Sequence, residues 1–453
     1  MEKLKIYNPY NNNLVGEVKS FNKNDLLNAI NILSKYNFEC SGFDRYKILI
    51  KAAKLLEKQK QAFSSLIVNE IGVSLKDAIH EVERTINVLV LCAEGAKRVI
   101  GDTFPAEVSE GFESKTIYSI REPIGIILCI TPFNHPLNQV AHKICPSIAA
   151  NNATLLKPSY KCPLTAIRFA ELLYDAGLPI EMLQVVTGRD KKIASLLIKN
   201  EKVSMISFTG GVEAGKSISN ACGIKKLSLE LGGNVALIID EDANLKDAVI
   251  FATKGAFGNT GQRCSAVKRI ITLPKVHDQF VKLFFDEVKK LIIGDPLDPS
   301  TDIGTLVDED SAIEIEKRIK SAIDSGAKLI YGGDRNGAQI IPTILDSISP
   351  DMEIVRKETF GPVAPIIKSE SLEDAINIMN DTSFGLNAGI VTNNLINLKK
   401  FIKKANVGGV RVNLPTSFRN EVLPFGGLKD SGYGRAGIIS AINEMSNLKT
   451  ILW

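Results

Sequence analysis

Between Ile124 and Leu231 five short apolar runs, Ile124–Ile130, Ala153–Leu156, Leu183–Thr187, Val203–Thr209 and Lys226–Leu231, are separated by segments with helical spacing. Parallel neighbours in one sheet need a crossover of a dozen or more residues, and a helix is the usual one. This rhythm therefore predicts an α/β fold with a parallel sheet built from βαβ units. The runs end in turn-prone residues: Thr131-Pro-Phe-Asn134, Lys157-Pro-Ser159, Thr187-Gly188 and Thr209-Gly-Gly211. Such sheets bind ligands at the carboxyl ends of their strands. Four polar strand ends in succession point to a nucleotide crevice.

A second alternation starts after Gly233, with strand-like runs at Val235–Ile239, Val267–Leu273, Gln339–Leu345, Pro362–Ile367, Ala388–Thr392 and Val407–Asn413. Two alternations in 453 residues exceed what one hydrophobic core holds, so two or three domains are expected. Ahead of both, Asn24 to about Ile100 is mostly helical: Ile48, Ala52 and Leu55 form one row, with Leu49, Ala53 and Leu56 beside it. Lys115–Arg121 alternates like an exposed strand, Pro424–Arg435 is too glycine-rich for helix or regular strand, and Leu448–Trp453 closes the chain as a short strand.

Net charge is +4 with the signs interspersed, and no basic stripe carries interleaved aromatics, so nucleic acid is not an expected partner. No run reaches about 18 apolar residues and the N-terminus lacks a signal-peptide core, so the expected setting is cytoplasmic, away from the membrane. Seven scattered cysteines include no Cys-x-x-Cys pair, and four histidines lack ligand spacing. Neither a disulfide framework nor a metal site is expected.

Two motifs carry chemistry. Gly210-Gly-Val-Glu-Ala-Gly-Lys-Ser217 matches the phosphate-loop pattern of ATPases and kinases, and the apolar run ending at Asp240 could hold its magnesium. Against it, Val212 and Glu213 stand where a phosphate would approach, and the preceding βα units would have no role. A milder form keeps the helix start at Gly211–Ser217 as a pyrophosphate site. The other motif is Gly258-Asn-Thr-Gly-Gln-Arg-Cys-Ser-Ala266, a small-residue loop between the helical stretch Asn244–Phe257 and the run Val267–Leu273. A thiol there, beside the fixed charge of Arg263, fits a nucleophile, because a nearby cation favours the reactive thiolate. The other six cysteines are expected to pack.

Phe208-Thr-Gly-Gly with Gly215, Leu229-Glu-Leu-Gly-Gly233, Gly261-Gln-Arg-Cys264, Glu358-Thr-Phe-Gly-Pro362 and Pro424-Phe-Gly-Gly427 resemble, in order and spacing, the signature stretches of the aldehyde dehydrogenase superfamily. The resemblance covers nearly the whole chain. It implies a Rossmann-type NAD(P)-binding domain (1–107 and 127–232), an α/β catalytic domain (233–413), β oligomerisation segments (108–126 and 436–453) and an active-site loop (414–435). By the same resemblance Cys264 attacks an aldehyde, Asn134 and the Cys264 N–H hold the oxyanion, and Glu230 is the base for hydrolysis of the thioester. On the cofactor side Lys157 and Ser159 would reach the adenosine ribose, Gly210, Gly211 and Gly215 the pyrophosphate, and Glu358 the nicotinamide ribose with Phe360 nearby. Thr131, Pro132, Phe133, Gly188, Phe208, Thr209, Leu231 and Gly232 would complete that side. Tyr160 stands where NAD-preferring members often carry Glu, so the expected cofactor is NAD or NADP.

Arg263 resembles the branches that oxidise phosphonoacetaldehyde or glyceraldehyde 3-phosphate, while the closing region is also similar to the lactaldehyde branch. Arg84 and Arg419 fall where related enzymes place anion-binding arginines, and His135 could add a donor. Alone, Arg84 reads as half of a surface ion pair. A small anionic aldehyde, phosphonoacetaldehyde-like, is the expected substrate, and a homodimer or homotetramer the expected assembly.

Overall fold

The computed structural model describes residues 3–453. An antiparallel hairpin, Lys3–Tyr7 with Leu14–Lys19, leads into helices Lys23–Leu33, Gly42–Lys58, Lys60–Ile71 and Leu75–Ala96. Asn22, Ser41 and Ser74 accept first-turn N–H groups as helix caps, each worth about 1 kcal/mol. Leu75–Ala96 has two working faces. Ala78, Val82, Val88, Leu89 and Cys92 join the core, while Asp77, Glu81 and Arg84, spaced i, i+4, i+7, share another stripe.

The first alternation forms a six-stranded sheet in the order Gly432–Tyr433, Lys226–Glu230, Val203–Thr209, Ile126–Ile130, Ala153–Lys157, Leu183–Val185. Only the outermost Gly432–Tyr433 pairing is antiparallel. Chain order runs outward in both directions from Ile126–Ile130, so a switch point lies between that strand and Val203–Thr209. Most residues expected to bind cofactor sit at these carboxyl ends, whereas Gly215 lies within the helix Val212–Ala221 and Glu358 and Phe360 come from the segment before the strand Val363–Lys368. The glycine-rich stretch is more regular than expected: Leu428–Lys429 pairs with Phe384–Gly385, and Gly432–Tyr433 extends the sheet.

The second alternation forms a seven-stranded sheet: Lys328–Tyr331, Thr343–Asp346, Val363–Lys368, Val267–Thr272, Val235–Ile239, Asn387–Val391, Gly409–Val412. The expected strand Gln339–Leu345 is two pieces, Gln339–Ile340 and Thr343–Asp346, in different sheets. Pro342 divides them, since proline cannot donate to a ladder. A third sheet pairs Ile117–Pro123 with Ser446–Leu452 on one side and Thr103–Phe104 on the other.

The core falls into two large clusters. One runs from Leu26 to Leu231 with Val307, Ile438, Ile442 and Met445; the other spans Ala236 to Phe401. Leu386, Phe425 and Ala436 form a small third cluster against which Cys264 packs.

Candidate active site

The helix Leu245–Phe257 stops at Gly258, and the chain then makes a tight left-handed passage, Asn259 (φ 57°), Thr260 (φ 54°) and Gly261 (φ 69°). A left-handed residue other than glycine costs about 1–2 kcal/mol, so this loop must be held. Asn259 N donates to Asp77 Oδ2 (2.9 Å), and its side-chain amide donates to Asn134 O (3.1 Å). Gln262 Nε2 donates to Thr305 O (3.3 Å), while its Oε1 accepts from Val307 N (3.0 Å). A Cβ on Gly261 would lie 2.2 Å from Gly361 O. The cysteine loop is thus clamped on three sides.

Two cavities meet at Cys264. One, about 450 Å³, is bounded by Thr131, Pro132, Phe133, Lys157, Ser159, Tyr160, Phe208, Thr209, Gly210, Gly211, Leu231, Gly232, Glu358 and Phe360. The other, about 620 Å³, is walled by Asp77, His80, Arg84, His135, Lys254, Arg263, Arg419 and Glu421. Cys264, Asn134 and Gln139 belong to both walls. A thiol at the junction can react with a molecule entering from one side while a second molecule occupies the other.

The first cavity fits an extended nucleotide. Gly210 and Gly211 lie at the start of the helix Val212–Ala221, where first-turn N–H groups lack a side-chain cap. Side chains would obstruct the site: a Cβ on Gly210 would lie 2.5 Å from the Phe208 ring, and one on Gly232 would lie 2.3 Å from Glu358 Oε2. Thr131 Oγ1 and Thr209 Oγ1 are buried without hydrogen-bond partners, which a bound ligand would answer. Glu358 accepts from Gly233 N (3.1 Å), and burial raises its carboxyl above the usual range. Phe360 meets Phe133 edge to face at 5.8 Å.

Two expected cofactor residues lie off this wall. Gly215 is absent from the wall and faces Leu231, whose methyl would lie 2.5 Å from an added Cβ, so it permits helix and strand to approach closely. Gly188 is also off the wall, and its carbonyl accepts from Lys157 Nζ (3.4 Å).

The phosphate-loop alternative loses its loop. Val212 to Lys216 are already helical, Lys216 pairs with Asp430 (3.0 Å), and Asp240 lies at the end of a strand of the other sheet, bonded to Thr392 and Asn397.

The thiol is not tuned as the sequence implied. Burial, then the charges of Glu230 and Glu358, push Cys264 up to about 11, and the cations that pull it down are Arg419 and Lys268. Arg263 instead turns to Asp77, with Nη2 to Oδ1 at 3.0 Å. Asn134 donates to Gln262 O (2.8 Å), and its amide carries a second hydrogen for the cavity. Glu230 is buried, but its lining position is a different small cavity, shared with Lys143, Ser207 and Glu444. It stands at the carboxyl end of Lys226–Glu230, where its backbone carbonyl accepts from Gly210 N (3.1 Å).

In the second cavity Arg84 is no mere surface ion pair: its Nε meets Glu421 Oε1 at 2.7 Å. Glu421 also takes His142 Nε2 on Oε2 (2.7 Å), and Arg419 Nε stands 3.5 Å away. Burial alone would raise the Glu421 carboxyl, yet His142 and Arg84 hold it far below the usual range. Burial drives His142 down to about 4. His135 is tied to Glu81 (3.1 Å), which also accepts from Leu137 N and Asn138 N. Arg419 is different. Its guanidinium is 10% exposed, lies 4.3 Å over the Phe425 ring, and leaves Nε and Nη2 without hydrogen-bond partners.

Glu421, Asp77, Glu81 and Lys268 were not singled out from sequence. A signal for two existed: Asp77, His80, Glu81 and Arg84 recur at helical spacing, a polar stripe on a helix whose other face is apolar. Glu421 had none, since its partner Arg84 is 337 residues away. Among the described residues no group of three or more ligating side chains could hold a metal, and no helix is long and apolar enough to cross a membrane.

Comparison with known proteins gives a consistent pattern. Residues 1–451 match the aldehyde dehydrogenase family. A 3-sulfolactaldehyde dehydrogenase of Priestia aryabhattai is 37% identical over 452 residues, covering 100% of this chain and 95% of that protein. A lactaldehyde dehydrogenase of Methanococcus aeolicus is 39% identical over 456 residues, covering 99% and 97%. A glyceraldehyde-3-phosphate dehydrogenase from Methanocaldococcus jannaschii, solved with NADP, superposes with a TM-score of 0.96 at 37% identity, covering 99% and 98%.

Proposed function

Because the chain belongs to the aldehyde dehydrogenase family, an NAD(P)-dependent enzyme oxidising aldehydes, we propose that its substrate is a small aldehyde bearing an anionic group such as a phosphonate, phosphate or sulfonate. One observation carries this: the Arg419 guanidinium, buried and with two nitrogens unpartnered, faces the cavity that holds Cys264. Its ion-pair partner Glu421, 3.5 Å away, is shared with Arg84 and His142, and a buried guanidinium short of hydrogen bonds is costly unless a ligand supplies them. Arg84, Arg263 and His135 line the same wall. A phosphonoacetaldehyde-like molecule satisfies these donors; glyceraldehyde 3-phosphate and sulfolactaldehyde offer similar groups, and lactaldehyde is the neutral alternative.

The chemistry we assign proceeds from Cys264. Its thiolate adds to the aldehyde carbon, and the new oxyanion takes hydrogen bonds from the second amide hydrogen of Asn134 and from the Cys264 N–H. A bound nicotinamide would be held by the Gly210–Gly211 turn, Lys157, Ser159 and Glu358 and would take up the hydride that the Cys264-bound carbon loses as its oxyanion collapses to a carbonyl. The resulting thioester is then hydrolysed. Glu230 takes the proton from the attacking water, which requires its side chain to swing from the Lys143–Glu444 cavity towards the thiol. Tyr160 brings no carboxylate to the ribose, and Arg189 stacks on its ring at 5.0 Å, so a 2′-phosphate is accommodated and NADP serves beside NAD.

We also assign the cofactor domain to residues 1–107 and 127–232, the catalytic domain to 233–413, the active-site loop to 414–435 and the oligomerisation segments to 108–126 and 436–453. In this reading the protein is a homodimer or homotetramer in the cytoplasm. The test of substrate class is a kcat/KM panel of phosphonoacetaldehyde, glyceraldehyde 3-phosphate, sulfolactaldehyde, succinic semialdehyde and lactaldehyde with both coenzymes. Anionic aldehydes should lead, and Arg419→Leu should lower kcat/KM for them about 10- to 100-fold more than for lactaldehyde, the range for a lost hydrogen bond to a charged group. An equal loss on every substrate would remove the assignment.

A further inference from the structure

The charges around the second cavity are already largely matched. Arg263 answers Asp77 at 3.0 Å, and Arg84 answers Glu421 at 2.7 Å. Both carboxylates are mostly buried, Glu421 to within 4% of full burial. Three guanidinium groups thus meet two carboxylates: Arg419 shares Glu421 with Arg84, its Nε 3.5 Å from Oε2 but without a hydrogen bond, so one positive charge is left in excess. Lys254 adds a charge only at the exposed rim, where solvent screens it. His135 is held by Glu81, and His80 is held below its ordinary value by burial and then by Arg84 and Arg263. His142 is buried behind Glu421, and Glu230 lies beside Lys143 in the cavity beyond.

We propose that this site selects a head group carrying a single negative charge, such as a sulfonate, over one carrying two, and that Glu421 enforces the limit. The inference rests on the anionic-substrate reading above and sharpens it. Glu421 touches the head-group site and not the reacting carbon, so it is a specificity residue. Its carboxylate is fixed between Arg84, on the helix Leu75–Ala96, and His142, on the helix Asn138–Ala149, and cannot turn away without abandoning both. A second negative charge on the ligand would meet this carboxylate in a low-dielectric wall, where one repulsion several ångströms away amounts to at least about a tenfold loss in binding.

Three hydroxyaldehydes that differ only at the third carbon separate the alternatives: lactaldehyde (no charge), sulfolactaldehyde (one charge) and glyceraldehyde 3-phosphate (one or two). The second phosphate proton leaves near pH 6. With wild-type enzyme, the kcat/KM of glyceraldehyde 3-phosphate relative to sulfolactaldehyde should fall about tenfold between roughly pH 5.5 and pH 8, as the phosphate gains its second charge. In Glu421→Gln, which keeps the shape and removes the charge, that ratio at about pH 8 should rise tenfold or more. A wild-type ratio that is flat or rising with pH overturns the proposal without touching the anionic reading. So does a Glu421→Gln variant that loses activity on all three aldehydes by one common factor, the mark of a merely structural role. If lactaldehyde is the best wild-type substrate at every pH, the anionic reading fails and this inference with it.

Discussion

At the scale of single residues, Cys264 is caught between opposing influences. Burial and two carboxylates raise its thiol to about 11 against the pull of Arg419 and Lys268, so little thiolate exists at neutral pH in the free enzyme. Iodoacetamide labelling followed by peptide mass analysis should therefore show the Cys264 rate rising about tenfold per pH unit from roughly pH 7 to 10, as expected well below a thiol pKa. A plateau near pH 8 would mean that the two cations outweigh burial. Asn134→Ala should lower kcat about 10²–10³-fold with little change in KM, the usual result of removing one oxyanion donor; a change confined to KM would place Asn134 outside the reacting centre. Cys264, Gly210, Gly211, Gly232 and Glu358 were legible as residues of one cavity wall because each sits in a short run that resembles a family signature stretch. Glu421 was not, because what defines it is a partner brought near by folding, and Asp77 showed only as one member of a polar helical stripe. Arg263 shows the same limit: adjacency in sequence implied that it tunes Cys264, but its side chain points to Asp77.

At the scale of elements, Glu70 joins two helices that the sequence shows only separately. It lies at the end of Lys60–Ile71, and its carboxylate accepts from Leu164 N (2.7 Å), Thr165 N (2.7 Å) and Thr165 Oγ1 (2.5 Å) at the start of Pro163–Asp175. That helix has no side-chain cap of its own at Cys162. Burial lifts Glu70 from 4.5 to about 7 in spite of the three hydrogen bonds. The folded state therefore holds a proton that the unfolded chain releases, and stability from this group, full below its ordinary pKa, is lost as pH rises through about 7. The shift corresponds to roughly 3 kcal/mol. Between about pH 5 and 8 the Tm of wild type should fall more steeply than that of Glu70→Gln, which cannot titrate. Parallel curves would show that Glu70 is ionised throughout. Strand positions were largely readable, since β-branched runs end where glycine, proline or threonine begin. The break within Gln339–Leu345 is marked in the sequence as well, because Pro342 interrupts the apolar residues around it and cannot donate to a ladder.

At the scale of the whole molecule, two alternations of strand and helix imply two sheets, yet not their strand order, which depends on which crossovers return and which pass on. The pairing least visible in sequence joins Ile117–Pro123 to Ser446–Leu452, because each strand read alone is a short segment with an exposed face. Ser446–Leu452 is an outer strand of its three-stranded sheet, leaving backbone groups on one side unpaired within the described residues. Leu448, Leu452 and Trp453 are exposed along it, at 51%, 52% and 72%. A long apolar edge invites pairing with another chain unless something covers it, and Lys449, paired to Glu122, has its charge already engaged. A second copy of this chain, adding strand to strand or face to face, is the cover we assign. The double substitution Leu448→Lys, Leu452→Lys places two charges on one face of the strand, because alternate residues share a face. Light scattering should then move from a multiple of 49.4 kDa to that value itself, with circular dichroism unchanged. An assembly that keeps its mass would show that the contact lies elsewhere, and a chain that unfolds would show that this sheet needs its neighbour to persist.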